Sequence, residues 1–403
     1  MQSVLCCATL AHITRMSLLI TRTQGVDIQI DRSEEQKLRT DLQTRSDADG
    51  ERLKRYLGMP DLSRTPESPI AELVNRIVAR PYFQGFDRIE VPEVVRADIS
   101  FDLFNFPENH PARSRSDTYY VTDTHILRTH TTVMWYYYFA SDVVRERIAK
   151  NEAFGVFSHG KVYRKDEIDR NHMNIFHQMD GLYMVPKAQK DLSRADLEEA
   201  LVEVAKGLYG GEIEYRFNED TFPYTHPSLE MEVKVGDRWI EVLGGGIVHP
   251  SVLEKLDVDP NVYTGWAFGF GLERLAIISM ALPDIRLLWS TDPRVKSQLQ
   301  LGHTFVPVSK FPPITRDISF VVQNDFIPNN YFDVIRDLGG DLVEEVKLLD
   351  TYENAEKFGA DRRSYTYRIV YRSNERTLTT EEIDPIQAKI YAETASLFKA
   401  DMR

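Results

Sequence analysis

The chain has 403 residues, 42% of them hydrophobic, which is enough for two or three domains each burying a real core. Its formal net charge of −13 excludes indiscriminate nucleic-acid binding driven by overall charge, so any RNA contact must be patterned. The two cysteines, Cys6 and Cys7, are adjacent near the N-terminus, an arrangement that supplies neither a disulfide framework nor a thiolate metal site.

From Met1 to Val26 there is no acidic residue, while Arg15, Arg22 and several Ser and Thr are scattered among apolar residues. That composition fits a transit peptide over 1–30, for a mitochondrion or a plastid; the other reading is a disordered cytosolic tail. The apolar runs there are too short and broken to span a membrane, and no membrane partner is expected. Residues 31–66 are charged and weakly periodic, and read as an N-terminal linker or a lone surface helix.

Ser68-Pro69 then opens a helix whose apolar positions Ile70, Leu73, Val74, Ile77 and Val78 follow helical spacing, closed by Pro81 and Gly85. Phe86 to Val95 reads as one strand, and its Pro92 places it at an edge or an interface. A Pro- and Asn-rich loop follows to Arg115, then a short strand over Thr118 to Val121. Leu127 to Thr132 opens a helix whose aromatics, Trp135 to Phe139, read as core packing.

Val162-Tyr163-Arg164 and Ile175 to Met179 read as two arms of a hairpin around a charged loop. That hairpin would aim Arg164, Phe176 and Gln178 at one pocket. Asp191 to Tyr209 is an amphipathic helix. Ile213 to Phe217, Leu229 to Val235 and Trp239 to Leu243 read as strands, the last running into Gly244-Gly245-Gly246. Strands in succession with few helices between them predict an antiparallel sheet in an α+β fold.

Gly265 to Arg274 is the stretch with the clearest chemistry. Gly265, Ala267, Gly269 and Gly271 alternate with Trp266, Phe268 and Phe270, so one face of a strand carries almost no side chain. Something must lie close to that backbone. Arg274 follows at a strand-to-helix junction, where a guanidinium would stack on a planar ring or fork to phosphate oxygens. A Gly-rich edge strand with a surface arginine has the same pattern.

A boundary falls at 301–310, read as a hinge. Beyond it, Ile318 to Val322, Tyr331 to Leu338, Val343 to Asp350, Tyr365 to Tyr371 and Ile386 to Phe398 give the order β, α, β, β, α of a ferredoxin-like module. In its third strand Arg368 and Arg372 share a face. They suit either phosphate contact or a solvent face balanced by neighbouring acids.

Together these stretches resemble class II aminoacyl-tRNA synthetases, and among them the single-chain, organellar phenylalanine-tRNA ligases. Gly85 to Pro92 resembles the first class II motif. Tyr163-Arg164-Lys165-Asp166 with Phe176-His177-Gln178 resembles the second, and Gly269-Phe270-Gly271-Leu272-Glu273-Arg274 the third. His-Pro-Ala-Arg at 110 to 113, Leu-Arg-Thr-His-Thr-Thr at 127 to 132 and Phe-Pro-Tyr at 222 to 224 resemble phenylalanine-specific signatures. Phe311 to Phe320 is similar to the start of the family's anticodon-binding domain.

The resemblance implies a class II catalytic domain over 67–300 and a ferredoxin-like anticodon-binding domain over 311–403. It implies ATP and Mg2+, with phenylalanine and tRNA as partners, in a monomer of the mitochondrial matrix, the alternatives being a plastid or dual targeting. Carried over by motif, Arg164 would hold the α-phosphate, His172 the phosphate tail, and Phe176 with Arg274 would sandwich the adenine. Glu241 would hold magnesium. His130, Thr132, Gln178 and Asp180 would address the ammonium and carboxylate of the amino acid, and Phe222, Tyr224, Ala267 and Phe268 would wall its ring. The family often has glutamine where Trp135 stands and glutamate where Asp180 stands. A non-catalytic paralogue binding tRNA or protein is the rival reading.

Overall fold

The computed structural model describes residue 20 and residues 24–165, 172–210, 213–373 and 375–403. Most of the expected transit peptide, and Asp166 of the second motif, lie outside the described residues. Two compact units divide at Phe305 and Val306. The expected hinge is therefore shared: Phe305 is buried and its N–H donates to the Met280 carbonyl in the first unit, while Ser309 donates to the Ser373 carbonyl in the second.

The first unit is built on an eight-stranded sheet. Its strands are β1 (Asp27–Ile28), β2 (Asp87–Ile89), β5 (Phe154–Tyr163), β6 (Ile175–Pro186), β7 (Tyr215–Phe222), β8 (Thr225–Val235), β9 (Arg238–Val248) and β10 (Tyr263–Gly271). Two further strands, β3 (Val94–Arg96) and β4 (His125–Leu127), pair with each other in a separate small sheet. The large sheet runs β1-β2-β5-β6-β10-β9-β8-β7. From β5 to β7 every pairing is antiparallel, and β1, β2 and β5 are mutually parallel at one edge.

The helix Pro69–Val78 forms where its spacing predicts. Ser68 Oγ accepts the Ile70 N–H at 3.2 Å, and Ile70, Leu73, Val74 and Ile77 are buried. It packs beside the helix Arg194–Tyr209, closed at its start by a Ser193–Asp196 capping box. Leu197 of that second helix approaches Gly245 of β9. The opposite face of the sheet carries Leu182, Met184 and Ala267, which belong to a core with Phe104, Trp135 and Tyr138. Trp135, Tyr138 and Phe139 are buried, as core packing of the aromatic helix Met134–Ala140 predicts, whereas Tyr136 is exposed.

Three expectations are corrected. Phe86 to Val95 is not one strand: it divides into β2 and β3, in different sheets, on either side of Pro92, which cannot donate to a ladder. Thr118 to Val121 supplies only an isolated bridge between Tyr120 and Ile126. Residues 31–66 are not a linker, for helices Ser33–Gln43 and Ala48–Gly58 bury Leu42 and Leu53 against Leu127, Tyr163 and Ile175.

The second unit holds β11 (Ile314–Gln323), β12 (Val343–Glu353), β13 (Arg362–Tyr371) and β14 (Asp401–Met402), in the order β12-β13-β11-β14. With helices Pro328–Gly339 and Thr380–Phe398 this is the ferredoxin-like arrangement. Tyr367, Ile369 and Tyr371 face its core. Arg368 pairs with Asp317 at 2.7 Å and Arg372 with Glu344 at 2.8 Å, so each arginine on the other face is balanced by an acid.

Candidate active site

The site is laid out by the pairing of β6 with β10. Gln178 lies opposite Gly271, Asp180 opposite Gly269, Leu182 opposite Ala267 and Met184 opposite Gly265. Because side chains alternate, these residues share one face. A Cβ on Gly269 would stand 2.7 Å from Asp180 Oδ1, and one on Gly245 would stand 2.7 Å from the Ala267 carbonyl. The glycines therefore admit a carboxylate and a neighbouring strand. At Gly265 the close neighbour is the sulfur of Met184, which fills that end of the expected ledge. Gly271 is different: the nearest atom to its Cβ direction is Phe176 at 3.9 Å, so the ledge stays bare at the end that meets the helix.

A cavity of about 170 Å3 opens on this face, lined by Thr132, Gln178, Asp180, Phe222, Tyr224, Glu230, Glu241, Gly244, Ala267 and Gly269 among others. It gathers most of the residues expected for the amino acid. Phe222 and Tyr224 stack at 6.0 Å, and Tyr224 meets Phe104 edge-on at 5.5 Å. Phe268 is the exception. Its position on β10 turns its ring to the helix-covered face, against Phe83, Phe157 and Gly181, so only its backbone borders the cavity. Its expected place in the ring wall is corrected on that ground.

Asp180 is buried and its two oxygens are divided between two hydroxyls. Thr132 donates to Oδ1 at 2.8 Å and Thr131 to Oδ2. Burial pushes its pKa up to about 6, against the pull of those hydroxyls and of Arg164. The side-chain oxygen of Gln178 is buried without a hydrogen-bond partner among the described residues, and a buried acceptor left in that state favours a donor. His130 stands behind the cavity rather than on it. Its Nε2 donates to the Ser100 carbonyl at 3.1 Å, its ring lies edge-on to Phe104, and burial lowers its pKa to about 4, leaving it neutral.

The groups expected to hold a nucleotide gather at the bare end. The Arg164 guanidinium lies 5.1 Å from the centre of the Phe176 ring, and its Nε donates to the Thr129 carbonyl at 3.0 Å. Arg274, in the first turn of the helix Leu272–Met280, donates to the Glu241 carbonyl at 3.3 Å, and its side chain stands 3.7 Å from the Glu241 carboxylate. That ion pair is half-exposed and loose, so it contributes little energy. His172 is exposed beyond the start of β6.

Four residues, in three places, received no role from the sequence. Thr131, quoted within a signature, receives no role there. Glu230 lines the cavity, and burial with the nearby Glu241 and Asp220 pushes its pKa up to about 7. Glu273 and His177 form a buried hydrogen bond of 2.5 Å across 96 residues of sequence. Glu230 alternates with Glu232 on β8, and that acidic spacing was the available signal for the second; Glu273 and His177 stood within quoted motifs, but nothing in the sequence related one to the other.

Residues 57–299 match the tRNA synthetases class II core domain (F), and residues 309–403 match the ferredoxin-fold anticodon binding domain. The chain is 38% identical over 362 residues to the phenylalanine–tRNA ligase, chloroplastic/mitochondrial, of Arabidopsis thaliana, covering 86% of this chain and 80% of that one. The chain belongs to the phenylalanine-tRNA ligase family. A mitochondrial phenylalanine–tRNA ligase of Mus musculus is 34% identical, covering 80% of this chain and 76% of that one. That of Saccharomyces cerevisiae is 30% identical, covering 77% and 81%. This ligase therefore joins a class II core to an anticodon-binding domain in a single chain, and no observation favours the non-catalytic paralogue.

Proposed function

We propose that this phenylalanine-tRNA ligase activates its amino acid in the cavity around Asp180 and grips ATP between Arg164, Phe176 and Arg274. A phenylalanine carboxylate oxygen attacks the α-phosphorus, the bond to the β-phosphate oxygen breaks, and pyrophosphate leaves. A hydroxyl of the terminal adenosine of tRNA then attacks the carbonyl carbon, AMP leaves, and the hydroxyl proton passes to the released phosphate or to water. The observation that carries the reading is the meeting of two halves on one sheet face. A buried carboxylate with a benzyl-sized cavity adjoins a bare glycine ledge flanked by an arginine-covered ring and a second arginine.

Each group has a task its chemistry suits. Asp180 and the unpaired Gln178 oxygen accept from the ammonium, Thr132 and Thr131 orient the carboxylate, and Phe222, Tyr224 and Ala267 enclose the ring. His130, neutral and one layer back, holds Phe104 in place. Arg164 neutralises the α-phosphate as charge builds at phosphorus, Arg274 covers the base, and His172 meets the phosphate tail. Among the described residues no three acids or histidines form a protein-only metal cage. A magnesium ion bound mainly through substrate phosphates needs only one or two carboxylates. Glu241, with Glu230 beside it, fits: acids crowded enough to raise one pKa to about 7 gain from a cation. That cation would neutralise the phosphates.

We also place the enzyme in the mitochondrial matrix, working as a monomer. The acid-free N-terminal stretch and the names of the relatives support the first, and the anticodon-binding domain within the same chain supports the second. Exchange of pyrophosphate into ATP by the full chain, assayed with each amino acid in turn, tests the activity. Stimulation by phenylalanine far above all others is expected, and equal stimulation by unrelated amino acids contradicts the site.

A further inference from the structure

Between Phe176 and Gln178 stands His177, which strand alternation turns away from the cavity and which has no exposed surface. Its ring is held at both nitrogens. The peptide N–H of Leu62 donates to Nε2 at 2.8 Å, which makes Nε2 the acceptor and leaves the proton on Nδ1. That Nδ1–H donates to Glu273 Oε1 at 2.5 Å. The same carboxylate accepts the backbone N–H of His177, at 2.8 Å to each oxygen. Trp289 stacks on the ring with centroids 5.7 Å apart. Glu273 itself is 3% exposed, so its charge is satisfied almost wholly by these donors.

The place of the carboxylate explains its use. β10 pairs with β6 only as far as Gly271 opposite Gln178, because the chain then turns into the helix Leu272–Met280. The N–H of His177 has no strand beside it on that side, and a buried N–H must find an acceptor. Glu273 supplies it, one residue before Arg274. We infer that Glu273 and His177 are positioning residues for the nucleotide. Their contact locks the backbone carrying Phe176 to the helical turn carrying Arg274, and so sets the gap between ring and guanidinium. The inference rests on the nucleotide reading above, and neither residue touches substrate.

The test is pyrophosphate exchange by the full chain, with KM measured separately for ATP and phenylalanine. Glu273→Gln keeps the shape but removes the charge and one acceptor. His177→Gln removes the Nδ1 donor, and His177→Asn restores a donor at that position. Losing a hydrogen bond to a buried charge corresponds to roughly tenfold or more. Glu273→Gln and His177→Gln should raise KM for ATP by about that factor while KM for phenylalanine stays within about twofold. His177→Asn should recover most of the loss. Equal rises in both constants, or lowered thermal stability with both constants unchanged, overturn the inference, and so does failure of His177→Asn to rescue. Arg274→Ala separates the two claims. If it raises KM for ATP while Glu273→Gln does not, the tie alone is wrong; if neither variant changes it, the nucleotide reading is wrong.

Discussion

Arg164 and Phe176 lie against each other, with the guanidinium carbon 5.1 Å from the ring centroid at the turn end of the β5–β6 hairpin, next to the Tyr163–Ile175 pair. The cation assigned to the α-phosphate therefore covers the ring assigned to the adenine. ATP must displace or share that contact, and the ring–cation pair holds both groups near their working positions beforehand.

Removing the ring should separate the two substrates. Stacking of a base on an aromatic side chain is worth about 1–3 kcal/mol. Phe176→Ala should raise KM for ATP by roughly tenfold to a hundredfold while leaving KM for phenylalanine nearly unchanged, as read by pyrophosphate exchange. A variant with unchanged KM for ATP places the adenine elsewhere.

Asp180 sets a pH dependence. Its folded pKa of about 6 lies above the value of about 3.9 for a free aspartate, because burial disfavours its charge. The protonated form therefore adds stability that is fully present below about pH 4 and is lost as pH rises through about 6. Ammonium binding needs the opposite form. The kcat/KM for phenylalanine should fall about tenfold per unit below about pH 6, and Asp180→Asn should be low and flat across that range. An Asp180→Asn profile that keeps the wild-type bend assigns it to another group.

The glycines of β10 should respond unequally. Gly269→Ala drives a methyl group onto Asp180 Oδ1 at 2.7 Å, and should raise KM for phenylalanine. Gly271→Ala meets nothing closer than 3.9 Å in the protein. It should fold with unchanged thermal stability and raise KM for ATP instead. Identical kinetic effects from both would mean the two positions do not border different substrates.

The ring pocket should also err. An apolar site rejects an isostere carrying one extra hydroxyl by only about a hundredfold. Purified enzyme given high tyrosine should form measurable tyrosyl-tRNA, detected by acid-gel or mass analysis of the charged tRNA. Its complete absence contradicts this description of the pocket.

The helices before the catalytic core should carry stability. Leu53 is 2% exposed, and Leu53→Ala should cost about 2–5 kcal/mol in chemical denaturation. A cost within about 0.5 kcal/mol is what a linker position gives.

Much of this was written plainly in the chain. The alternation of Gly265 to Gly271 announced a one-sided strand, and the same alternation already put Phe268 on the far face, against its motif-derived place in the ring wall. The N-terminal helices were obscured because Glu35 is a buried acid. Its carboxylate accepts the Glu93 N–H at 2.9 Å and pairs with Arg39, so a residue that reads as solvent-facing is part of the packing. The Glu273–His177 tie was invisible for another reason. It joins residues 96 apart, and neither strand period nor helix period relates them. Pro92 pointed to an edge or an interface of a single strand, but neither it nor periodicity revealed that the chain on its two sides enters different sheets.

The most direct measurement is phenylalanine-dependent pyrophosphate exchange by the full chain beside its Arg164→Ala and Arg274→Ala variants, with folding verified by thermal melting. Removing one preorganised electrostatic group should lower kcat/KM for ATP by on the order of a hundredfold to a thousandfold in each variant. Either variant exchanging at the wild-type rate would contradict the claim that these two arginines hold the nucleotide together.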